Sequence, residues 1–100
     1  MANKNSRNND FLYENRDTSS PKIYAVMMKL VNEDREDLAK EVKKVDYLLQ
    51  YTSTCIKDKD FRQARDTIKI ADEHIQKLKE EGVDVEYLIY LYDGIKKKIK

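Results

Sequence analysis

The sequence predicts an all-α fold: a small antiparallel bundle of three longer helices plus a short first helix, preceded by a disordered N-terminal arm. Apolar residues recur at steps of three and four through most of the chain from Ile23 to Ile99, the period that lines one face of a helix. Short polar connections, Lys57-Asp58-Lys59-Asp60 and Gly82-Val83-Asp84, separate the later runs, and links that short join antiparallel neighbours. Residues 1–19 are rich in Asn, Ser and Arg and have no apolar period, so they bury too little surface to offset the entropy of ordering. The expected division is an arm over 1–19 and a helical domain over 20–100. Within the arm, Phe11, Leu12 and Tyr13 form an apolar island that could dock on the body or on a partner, although a solvated island is the plainer reading.

The first helix starts at Ser20-Pro21, a capping hydroxyl followed by a residue whose fixed φ suits the first helical position. Ile23, Tyr24, Met27, Leu30 and Val31 then share a stripe. That stripe resumes in phase as Leu38, Val42, Val45, Leu48, Leu49, Thr52, Cys55 and Ile56, which leaves one continuous helix open as an alternative. The polar run from Asn32 to Asp37 favours a break near 32–34, with Asn32 or Asp34 capping a second helix over 34–57. Asp60 with Gln63 three residues on resembles a capping box and starts a third helix over 60–81, on the stripe Phe61, Ala64, Ile68, Ala71, Ile75 and Leu78. Gly82 closes it in the left-handed conformation. Asp84 is expected to cap the last helix, over 84–99, with Val85, Leu88, Tyr92, Ile95 and Ile99 facing inward.

Chain length and charge limit the function classes. One hundred residues fit a single domain with one modest core. A net charge of +1 argues against a strongly basic nucleic-acid binder. Cys55 is the only cysteine, so no intrachain disulfide or thiolate zinc cluster forms, and a reducing, cytoplasmic setting is the simpler expectation. Neither a signal-peptide core nor a run of roughly 20 apolar residues is present, so the chain reads as soluble and unprocessed. His74 has no second histidine at i+4, the acidic run from Glu33 to Glu41 lacks the glycine spacing of a calcium loop, and Gly82 and Gly94 alone make no phosphate loop. Neither enzyme activity nor a cofactor is expected.

Leu48, Tyr51, Thr52 and Cys55, followed by Asp60-Phe61 and by Ala64, Ile68 and Ala71, resemble one degenerate tetratricopeptide repeat, over about residues 48–71. The resemblance implies a close-packed helical hairpin and places Asp46, Leu49 and Ser53 on the face that lines the binding groove in that family. Departures fall at Thr52, Cys55 and Gln76, where the family has a small residue, an aromatic and a closing proline. A single unit is visible, and stacked repeats usually need three or more, so a grooved array is not expected. Any helical hairpin with alternating small and large residues would match as well. Three-helix trafficking domains, including the microtubule-interacting kind, share the coarse layout, with no motif here that selects them.

The last helix carries the strongest functional signal. In "DVEYLIYLYDGIKKKIK", Ile89 and Leu91 widen the inward stripe and Tyr87 and Tyr90 extend it to the far side, so the helix must be covered on two sides. The first helix is expected to cover the second side, or Tyr87, Tyr90, Leu91 and Gly94 face a partner, with Gly94 allowing another backbone close, and the two are compatible because Tyr90 can stay outside even when Leu91 is covered. The expectation is a non-enzymatic protein-protein interaction module, an adaptor, inhibitor or regulator, binding another protein or a second copy of itself as a homodimer. The competing reading is a nucleic-acid-binding accessory protein, using Lys96, Lys97, Lys98 and Lys100 with Lys4, Arg7 and Arg16 of the arm for phosphate contacts. Favourable interaction of those terminal lysines with the helix dipole is the plainer account.

Overall fold

The computed structural model describes residues 20–99. Among them the regular structure is entirely helical: α1 (Pro21–Asn32), α2 (Glu36–Lys57), α3 (Phe61–Glu80) and α4 (Glu86–Lys96). The expected arm over 1–19, its Phe11, Leu12 and Tyr13 island, its basic residues and Lys100 lie outside the described residues. Two compact units divide the chain between Lys43 and Lys44, inside α2.

In the first unit, Ser20 is extended (φ −64°, ψ 156°) and its Oγ accepts from the Ile23 N–H at 3.3 Å, the cap expected before Pro21. Ile23, Met27, Leu30 and Val31 are buried, as are Leu38, Ala39 and Val42 in the opening turns of α2. The chain breaks where expected, and the residue whose carbonyl opens α2 is Arg35 rather than Asn32 or Asp34. Asp34 takes φ +66° and its N–H donates to Val31 O at 3.0 Å, while the Arg35 N–H donates to Leu30 O at 2.8 Å. These two bonds close α1 in a Schellman motif. The carbonyl of Arg35 accepts from Leu38 and Ala39, so α2 starts from Arg35 and begins at Glu36 rather than 34. Glu36 and Asp37 fill its first turn, and Lys40 Nζ reaches Glu36 Oε2 at 3.3 Å.

The second unit holds the rest of α2 with α3 and α4. Val45, Leu49, Thr52 and Cys55 are buried, while Leu48 and Ile56 are only partly covered. A buried hydroxyl needs a partner, and Thr52 Oγ finds one by donating to Leu48 O at 2.8 Å. The α2–α3 turn repeats the closing motif of α1: Lys59 takes φ +63°, its N–H donates to Ile56 O at 2.9 Å, and the Asp60 N–H donates to Cys55 O at 2.8 Å. Asp60 Oδ1 then accepts from the Gln63 N–H at 3.2 Å and caps α3, as its spacing predicts.

Ala64, Thr67, Ile68, Ala71, Ile75 and Leu78 bury the inward side of α3. Gly82, at φ +82°, ends it by the same motif, with the Val83 N–H on Leu78 O at 3.1 Å and both side chains buried. Here the expectation and the finding agree.

α4 is shorter than the expected 84–99. Val83 and Val85 are both buried and Asp84 between them is exposed, so this stretch runs on before the helix can start. Asp84 Oδ1 accepts from the Glu86 N–H at 3.1 Å, and Val85 occupies the cap position with no side-chain bond of its own. At the other end, Lys98 and Ile99 donate to carbonyls three residues back, at 3.0 and 3.1 Å, which tightens the last turn beyond the α-helix. α3 and α4 pack directly against each other.

Candidate interaction surface

Along α4 the inward side closes only near its start. Leu88 is buried, whereas Tyr87, Ile89, Leu91, Tyr92 and Ile95 are half-buried and Tyr90 is 72% exposed. More apolar residues are set along α4 than one side of a helix can turn inward. The rings of Tyr87 and Tyr90, one turn apart, stack with centroids 6.0 Å apart and planes 22° from parallel. Beside them Leu91 adds an aliphatic edge.

Gly94 continues this stripe one turn further and is exposed. A Cβ built there would meet nothing within 4 Å among the described residues, so none of them makes the close backbone approach that a glycine permits. Glu86 and Asp93 are exposed along the rim, and Lys96, Lys97 and Lys98 are exposed at the end. Lys96 Nζ lies 5.6 Å from the centre of the Tyr92 ring, a cation–π contact that uses one of these charges within the helix. The sequence-predicted cluster of Tyr87, Tyr90, Leu91 and Gly94 is therefore brought together on one side of α4.

The three positions carried over from the repeat family do not form an open face. Asp46 and Leu49 are buried and only Ser53 is exposed. Asp46 Oδ2 accepts from Gln50 Nε2 at 3.0 Å, so that carboxylate is held along its own helix. Cys55 is a buried free thiol and His74 is half-buried on α3. Among the described residues no group of three or more His, Cys, Asp or Glu side chains is placed to hold a metal ion, and no helix is long and apolar enough to cross a membrane.

A second aromatic pair escaped the sequence reading. Tyr47 and Tyr51 on α2 are 62% and 41% exposed, with rings 6.4 Å apart and 11° from parallel. The signal was present: each sits two residues from Leu49, roughly 200° around the helix from that inward stripe. Comparison of the chain with protein-family models, curated proteins and solved structures finds no match.

Proposed function

We propose that this chain is a non-enzymatic, cytoplasmic protein-protein interaction module, an adaptor, inhibitor or regulator, which binds through the outer side of α4. The observation that carries this reading is Tyr90, 72% exposed and stacked on Tyr87, on a helix where Leu88 is the one buried residue among those described. Tyrosine suits that role, because its ring offers apolar area to a partner while its hydroxyl tolerates water before binding. Leu91 and the charged residues around the pair supply the edge and rim of such a patch. The tetratricopeptide-like hairpin is a weaker basis for binding, since Asp46 and Leu49 are occupied in packing and hydrogen bonding.

Tyr90→Ser is the direct test. The variant is expected to keep its melting temperature and to lose proteins that the unaltered chain captures from its host and that bind it again after purification. Equal retention by both would remove α4 from the reading. Titration with duplex and single-stranded oligonucleotides at two salt concentrations decides the competing reading. Binding that falls with salt and disappears on Lys→Gln changes at Lys96, Lys97 and Lys98 would replace the protein partner by nucleic acid.

A further inference from the structure

The order of charge and bulk along α4 identifies what fits against it. We infer that the outer side of α4 docks on the same side of a second copy of this chain, with the two helices antiparallel about a two-fold axis. This rests on the reading of α4 as the binding helix and names its partner.

Charge is the first support. Asp84 and Glu86 stand at the start of α4, and Lys97 and Lys98 at its end, all exposed, while Lys96 is turned to the Tyr92 ring. In an antiparallel pair each acidic start meets the partner's basic end, so the attraction occurs twice. A parallel pair would set acid against acid and lysine against lysine. Asp93 is the exception to the gradient, and its spacing of three and four residues from Lys96 and Lys97 places it beside those cations on its own helix. The helix dipoles favour the same antiparallel arrangement.

Shape gives independent support. Tyr87, Tyr90, Leu91 and Gly94 follow i, i+3, i+4 and i+7, a stripe with its large rings towards one end and its only missing side chain at the other. Reversing one copy about the middle of the stripe sets Tyr87 over the partner's Gly94 and Tyr90 against the partner's Leu91, and symmetry repeats the fit. Glycine inside a helix is unfavourable by about 1 kcal/mol relative to alanine, and this one relieves no crowding among the described residues. A two-fold contact needs a self-complementary patch, and this stripe meets that requirement.

α4 has 11 residues. Such a helix is about 16 Å long, so the contact falls in the small class typical of transient association. Sedimentation equilibrium of the full chain up to about 1 mM, near the weak end of measurable binding, is the appropriate range.

The expected result is a reversible monomer–dimer equilibrium that weakens with salt. Glu86→Lys alone, or Lys97→Glu with Lys98→Glu, should each weaken self-association roughly tenfold, and mixing the two variants should restore it as a heterodimer. A monomer at every concentration, or a dimer indifferent to both reversals, would overturn the proposal. Should a reversal unfold α4, as read by circular dichroism, Tyr90→Ser takes its place and must leave a monomer. A monomeric chain that still captures a different protein through Tyr90 sinks the second copy and leaves the binding role of α4 standing.

Discussion

α3 and α4 are written with the same three-four spacing of apolar residues, yet the first closes and the second does not. Ala64, Thr67, Ile68, Ala71, Ile75 and Leu78 are buried along α3, whereas within α4 the buried set is Leu88. Stripe width separates them. On α3 most of the remaining circumference is charged or polar, with Ile70 as an exposed apolar exception. On α4 apolar residues from Tyr87 to Tyr92 pass right round the helix. Period therefore says which residues are able to face inward, and the width of the stripe says whether surface remains for a partner.

Shortening one side chain on each helix should have the most unequal effects. Leu78→Ala, at a fully buried site, should destabilise the protein by about 2–5 kcal/mol through lost transfer energy and the cavity left behind. Tyr90→Ser should change stability by less than about 0.5 kcal/mol, the range of exposed positions. Urea unfolding of both variants checks this. A loss at Tyr90 comparable with that at Leu78 would mean that the ring is part of the core.

Glycine gives a comparison of opposite signs. Gly82→Ala forces a Cβ into φ +82° at the end of α3 and should destabilise by about 1 kcal/mol or somewhat more. Gly94→Ala adds a methyl to a helical site with nothing within 4 Å and should stabilise the monomer by up to about 1 kcal/mol. If Gly94 seats a partner's ring, the same change weakens self-association while raising the melting temperature of dilute protein. A destabilised Gly94→Ala monomer would show that the site is more crowded than its geometry indicates.

Much of this architecture is legible in the sequence because local chemistry and tertiary demand agree there. Ser20 with Pro21, Asp60 with Gln63, and Gly82 each sit where a helix end needs a cap or a left-handed residue. The stops near 32–34 and after Lys57 are legible too, but not that Asp34 and Lys59 make them. Both adopt the left-handed conformation without being glycine, and rules keyed to glycine pass over them. Burial of Leu30 and Cys55 next to those turns offsets a conformational penalty of about 1–2 kcal/mol each. The late start of α4 follows from Val85, whose side chain is buried and offers no cap. Within the candidate surface, Tyr90 is legible as the residue opposite the inward stripe, while Tyr47 and Tyr51, equally far from the stripe of their own helix, carry no expectation as a pair because only the last helix has apolar residues all round.

The smallest expected effect is electrostatic and lies at the start of α2, where exposed groups meet in water. Arg35 Nε and Nη2 donate to Asp37 Oδ1 and Oδ2 at 3.2 and 3.1 Å, and this hydrogen-bonded guanidinium holds the Asp37 carboxyl below its ordinary range. A depressed pKa means that the folded chain keeps this carboxylate ionised to lower pH than the unfolded chain does. The stabilisation is present in full above the unfolded value of about 3.9, shrinks as pH falls from there, and is gone below the folded value. Asp37→Asn should therefore differ from the unaltered protein near neutral pH and converge with it in acid. Because both groups are exposed, the difference should be much smaller than the loss at Leu78. NMR titration of the Asp37 carboxyl in the unaltered protein and in Arg35→Gln isolates the cause: removing the guanidinium must raise the midpoint. An unchanged midpoint would assign the shift to the helix start, and the contrast between buried apolar contacts and surface charge would then rest on α3 and α4 alone.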